Sequence, residues 1–95
     1  MRITSQQHEA IIKTIREFIP DGKVILFGSR ADDTRRGGDI DLFVETSAKP
    51  VLESRLLLQY RLSSVCDDTH VDLIVKDVKD EWQPIHEIAR CGVVL

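Results

Sequence analysis

The chain has 95 residues, 42% apolar and 31% charged, which suits one small globular domain over residues 1–95 and leaves no room for a second. Its net charge of −3 speaks against a general nucleic-acid binder, which needs a basic patch or stripe, although a single nucleotide needs only a few local donors and a metal. No apolar run approaches the length of a membrane span, and the start M-R-I-T-S-Q-Q-H lacks the apolar core of a secretory signal. Cys66 and Cys91 lack the close spacing of a zinc or redox motif, so the expected setting is the cytosol with both thiols reduced.

Thr4-x-x-Gln7 has the form of a capping box and starts a helix. Ile11, Ile12, Ile15, Phe18 and Ile19 follow at helical spacing and form one apolar stripe, which Pro20-Asp21-Gly22 ends. A short buried strand is predicted from Lys23 to Phe27. Gly28-Ser29 breaks it, Ser29 is placed to cap a helical turn over Arg30 to Asp33, and the loop Thr34 to Gly38 leads to a second strand, Asp39 to Glu45. Its alternation sets Ile40, Leu42 and Val44 on one face and the two aspartates on the other.

Pro50 stands where the first turn of the next helix is expected, and that helix runs from about Val51 to Cys66. Leu52, Leu56, Leu57, Tyr60, Leu62 and Val65 make it apolar enough to pack on the sheet or on a partner. Asp67-Asp68-Thr69 turns the chain into a third strand, His70 to Val75. A last helix spans about Pro84 to Arg90 with Gly92 as its stop, and Val93-Val94-Leu95 adds a final short strand or packs on the core. Strands alternating with helices give an α/β (α+β) domain, a small mixed sheet of three to four strands with helices packed against it.

The chemistry centres on the acids. Asp39 and Asp41 lie two apart on a strand, about 7 Å from one another on the same face. Neighbouring carboxylates repel and strands are depleted in Asp, so a divalent cation is the natural compensation, hard cations preferring carboxylate oxygen. Asp72 repeats the pattern inside V-D-L-I-V, where a buried carboxylate would need a partner. Three carboxylates on neighbouring strands suit a two-metal site, and Asp72 is also placed to act as a general base. The competing account has Asp39 and Asp41 at an exposed strand start, capping or pairing with Arg35 and Arg36. Gly28-Ser29 reads either as a tight turn with a helix cap or as a place where backbone N–H groups and the Ser29 hydroxyl meet a phosphate. It is neither a P-loop nor a dinucleotide fingerprint.

Taken together, G-S-R-A, a short polar loop, G-G-D-I-D-L-F-V and the later h-D-h-I-V strand resemble the nucleotidyltransferase superfamily of DNA polymerase β. The small size and the ending P-I-H-E-I-A-R-C-G-V-V-L look like its minimal nucleotidyltransferase (MNT) branch, and the resemblance spans nearly the whole chain. The resemblance implies that Gly28 and Ser29 hold a nucleoside triphosphate, with Arg30 a further phosphate contact. It implies that Asp39, Asp41 and Asp72 bind Mg²⁺, two ions in all, and carry catalysis. The implied reaction is attack of an acceptor oxygen on the α-phosphorus of ATP with loss of pyrophosphate, dominated by positioning and electrostatics. Arg35 and Arg36 inherit no role and read as a solvated loop.

No part of this sequence reads as the acceptor-binding domain that larger relatives carry, so the acceptor is expected to come from a second protein or to sit in a shallow groove. MNT proteins are commonly encoded beside a helical HEPN protein, and many such pairs look like toxin–antitoxin systems with HEPN as the ribonuclease toxin. The expectation is therefore an antitoxin that attaches AMP to a hydroxyl, a tyrosine's for example, of a HEPN partner, in a hetero-oligomer without direct contact to nucleic acid or membrane. Two alternatives stand beside it: a binding module that blocks the partner sterically, and a free-standing transferase for a small hydroxylated acceptor. Of the remaining residues, His8 is expected exposed, His70 close enough to Asp72 to reach the site, His86 at the surface or an interface, and Cys66 in the core. Trp82 and Tyr60 read as packing, with a partner surface as the functional reading of Trp82.

Overall fold

The computed structural model describes residues 3–28 and 38–95. Helix α1 spans Ser5–Phe18 and is started by the capping box expected: Gln7 N–H donates to Thr4 Oγ1 and Thr4 N–H to Gln7 Oε1, both at 3.0 Å. Strand β1 is Lys23–Phe27 and β2 is Ile40–Glu45, one residue shorter than predicted, so Asp39 stands just ahead of the strand. Helix α2 is Leu52–Val65, β3 Val71–Lys76, α3 Pro84–Arg90 and β4 Val93–Val94. Pro50 precedes the N-cap Val51 and lies outside the first turn of α2, a correction to the predicted boundary. The turn after α2 carries Asp67 and Asp68 at φ 59°, the left-handed region that Asp tolerates better than most residues.

The strands form one mixed sheet in the order β3-β2-β1-β4. β1 runs antiparallel to β2 and to β4, whereas β2 and β3, joined through α2, are parallel. The last three residues do both things expected of them: Val93-Val94 pairs with β1, and Leu95 packs against the main core. Gly92 permits that return, because a Cβ there would collide with the Leu26 carbonyl oxygen.

Strand alternation divides the apolar residues between two faces. Val24, Leu26, Ile40, Leu42 and Val44 join Ile11, Ile15 and Ile19 of the first helical segment and Leu58, Leu62 and Cys66 of the second in the main core. The opposite face carries a smaller cluster, Ile25, Phe27 and Phe43 under Ala89 of α3. His86 belongs there and not at the surface as expected: it is 8% exposed, stacks on Phe43 at 5.5 Å, and its Nδ1 accepts from the Gln83 N–H at 2.9 Å. His8 is half-buried rather than exposed. Trp82 packs edge-on to Phe43 and lies beside Lys76 and Arg90, so its reading as packing holds, although 41% of it stays exposed.

α2 departs from what its composition promised. Leu58 and Leu62 are fully buried, but Leu52, Leu56, Leu57 and Tyr60 are 52–71% exposed. The sheet therefore covers only one side of a helix that is apolar on two.

Candidate active site

The topology brings the acidic residues to one end of the sheet. β1 ends at Phe27, and because β2 runs back against it, Phe27 pairs with Asp41 at the start of β2. β3 runs parallel to β2, so it begins at the same end, with Asp72 directly opposite Asp41 and Val71 opposite Ile40. Gly28, Asp39, Asp41, His70 and Asp72 thus converge from three strands whose cores are held by their apolar neighbours. Within β2, Asp41 alternates with Ile40 and Leu42 and so lies on the face of Phe43, whereas Asp39 stands ahead of the strand, where alternation does not fix its side.

Gly28 makes the crowding possible. Its φ is +74°, which residues with a Cβ rarely adopt, and a Cβ built on it would overlap the Asp41 carboxylate. The glycine therefore gives Asp41 its room. Asp41 is half-buried, and its carboxyl pKa is raised above the ordinary value, first by burial, then by the charge of Asp72 and a hydrogen bond with it, and further by Asp39, with His70 opposing. The charge of its acidic neighbours favours the protonated form of Asp41, a crowding that a bound cation would relax.

Asp72 is not buried as its apolar neighbours implied. Its side chain is 51% exposed, since β3 is an edge strand and Asp72 points into the open end of the site. Its partner is His70, whose Nε2 lies 2.8 Å from Asp72 Oδ1. That hydrogen bond, and next the Asp72 charge, raise the His70 pKa. One ligand atom each from Asp39, His70 and Asp72 lie within 4.8 Å of one another, close enough to hold one metal ion. The donor set fits a divalent cation: hard carboxylate oxygens with one imidazole nitrogen. His70 is the residue whose place sequence reading left open; its signal was its position two residues ahead of Asp72 on the same strand face.

Ser29, Arg30, Arg35 and Arg36 lie outside the described residues, and so does the helical turn expected over Arg30 to Asp33. Of the nucleotide-binding trio, Gly28 alone is placed, against Asp41.

Residues 9–95 match the family described as polymerase beta, nucleotidyltransferase. The chain belongs to that family. Among solved structures, this nucleotidyltransferase-family chain is similar to a chain of a toxin–antitoxin bound to AMP-PNP, with 33% identity, 70% of this chain and 55% of that one covered, and a TM-score of 0.61. It is similar to a chain of a mutant MntA-HpeT toxin–antitoxin at 32% identity, with coverages of 72% and 53% and a TM-score of 0.59. It also matches a chain of a complex of tri-AMPylated Shewanella oneidensis HEPN toxin with MNT antitoxin at 28% identity, covering 80% of this chain and 56% of that one, TM-score 0.60. The chain spans little more than half the length of these solved chains. No curated protein matches it. The fold, with three helices around a four-stranded mixed sheet among the described residues, is that of the polymerase β-like core, and the MNT branch is the part of the superfamily to which its solved neighbours belong. Among the described residues no helix is long and apolar enough to cross a membrane.

Proposed function

We propose that residues 1–95 form a single metal-dependent nucleotidyltransferase domain that moves AMP from ATP to a hydroxyl of a HEPN partner protein in the cytosol and thereby acts as an antitoxin. The observation that carries this reading is the convergence of Asp39, Asp41 and Asp72 beside Gly28 at one end of the sheet. The AMP-PNP of one similar structure and the AMPylated HEPN toxin of another support the nucleotide and the class of acceptor.

In this account Asp39 and Asp72, with His70 beside them, would hold a Mg²⁺ ion, and Asp41 with its neighbouring acids would offer oxygens to a second. Bound Mg²⁺ supplies charge neutralisation and polarisation of the phosphate oxygens. Gly28, Ser29 and Arg30 bind the triphosphate, with Gly28 keeping the backbone clear of Asp41. The hydroxyl oxygen of the partner forms a bond to the α-phosphorus as the bridging oxygen to the β-phosphate departs with pyrophosphate. Asp72, oriented by its hydrogen bond to His70, receives the hydroxyl proton.

The test is intact-mass analysis of a HEPN protein from the same genome after incubation with this chain, ATP and Mg²⁺. Wild type should add AMP-sized increments and Asp39→Asn none; no adduct with wild type would reject the transfer reading.

A further inference from the structure

α2 and β3 leave a groove at the sheet edge with a volume of about 190 Å³, lined by Leu52, Arg55, Leu56, Gln59, Leu73 and Val75. Leu52 and Leu56 form one wall, a helical turn apart, and Leu73 and Val75 form the other, two apart on one face of β3. Leu52 and Leu56 are more than half exposed, and Leu57 and Tyr60 extend the apolar surface beyond the groove. Exposed apolar surface of this extent on one helix marks a contact surface.

We propose that this groove docks an apolar helix of the HEPN partner that carries a carboxylate opposite Arg55, an inference that rests on the functional reading above for the partner's identity. Two observations select that occupant. The first is charge: Arg55 lines the groove, and among the described residues its Nε is buried with no hydrogen-bond partner. A carboxylate entering the groove would meet the Arg55 guanidinium that lines it, the side chain best suited to pair with carboxylates. The second is shape. Gln59 Nε2 donates to the Val71 carbonyl at 2.8 Å, which occupies an acceptor at the open edge of β3 where an added strand would have to pair. A helix laying apolar side chains between Leu52/Leu56 and Leu73/Val75 needs no such edge. The groove is built from β3 and the helix that leads into it, so an occupant would sit on the element that carries Asp72.

The test is calorimetric titration of this chain with a HEPN protein from the same genome, using wild type, Leu56→Glu, Arg55→Glu and Asp39→Asn, with thermal melts to confirm that each variant folds. Both groove substitutions should weaken binding at least about tenfold, as expected of a central apolar anchor and of a desolvated charge pair. Asp39→Asn should bind like wild type. Undiminished binding by both groove variants, or no binding by wild type, would overturn the assignment. So would a wild-type dimer in sedimentation equilibrium that Leu56→Glu dissociates, because a second copy would then hold the face. The same mixtures with ATP and Mg²⁺ separate the two readings. Groove-dependent binding without an AMP adduct rejects transfer and leaves the docking site standing; an adduct formed equally well by wild type and groove variants upholds transfer and removes the docking site.

Discussion

Asp41 and Asp72 stand opposite each other in the parallel register of β2 and β3, close enough for the charge of one to act on the other. Burial and the charge of Asp72 raise the Asp41 pKa, so the folded state holds this proton more tightly than the unfolded chain. Stability should accordingly fall as pH rises from the ordinary carboxyl value of 3.8 through the raised one, with metal withheld. Asp41→Asn removes the charge and should raise the melting temperature of the metal-free protein at neutral pH by a few degrees, about 1 kcal/mol shifting a domain of this size by roughly 4–8 °C. Thermal melts in chelator check it; a lower melting temperature for Asp41→Asn would contradict the repulsion argument.

Gly28→Ala should destabilise the fold by at least about 1 kcal/mol, because alanine must adopt a positive φ and its methyl meets the Asp41 carboxylate. The two contributions separate in a double-mutant cycle. In an Asp41→Ala background the collision disappears and only the φ cost remains, so the penalty of Gly28→Ala should shrink measurably in urea unfolding. An unchanged penalty would mean that Gly28 serves the backbone alone.

At the other end of β2, Asp21 fastens the turn after α1 to the sheet. Its carboxylate accepts from Ser47 N–H at 3.0 Å and Ser47 Oγ at 2.6 Å, and from Thr46 Oγ1. The Ser47 and Thr46 hydroxyls, followed by the Ser47 N–H, lower its pKa from 3.8 to about 2. A depressed carboxyl pKa stabilises the fold above the unfolded value and ceases to do so as pH falls through the folded one. Asp21→Asn should thus be less stable than wild type at pH 5 to 7, with the gap closing between pH 3.8 and about 2. Urea unfolding across that range reads it directly, and a constant gap would contradict the assignment.

The two sides of α2 predict opposite outcomes for neighbouring leucines. Leu58→Ala removes a fully buried side chain and should cost about 2–5 kcal/mol. Leu57→Ala, at a side chain 52% exposed, should change the stability of the isolated chain by no more than about 0.5 kcal/mol. Chemical denaturation of the two variants suffices.

Much of this was legible in the residues, for identifiable reasons. α1 and β1 carry local signals that decide them: a capping box, an apolar stripe at helical spacing, and a glycine at the end of a buried strand. Strand alternation was enough to put Asp41 on the face opposite Ile40 and Leu42, but Asp39 falls just ahead of the strand. Asp72 was found for a mistaken reason, since its apolar neighbours suggested burial, whereas an edge strand exposes it. Strand order decides that, and strand order is not written in any local segment. His86 eluded the reading because stacking on Phe43 and capping α3 both depend on where α3 docks. The exposed side of α2 could not be told from a buried one, as composition reports how apolar a helix is and not what covers it.

The most direct test of the central claim, that Asp39, Asp41 and Asp72 serve one divalent-cation and nucleotide site, is calorimetric titration of Mg²⁺ into the protein held with AMP-PNP. Wild type should bind the ion, and Asp39→Asn, Asp41→Asn and Asp72→Asn should each weaken binding by at least about tenfold, since losing even a residue behind a ligand commonly costs that much. Mg²⁺ affinity that is the same in all three folded variants as in wild type would contradict the account.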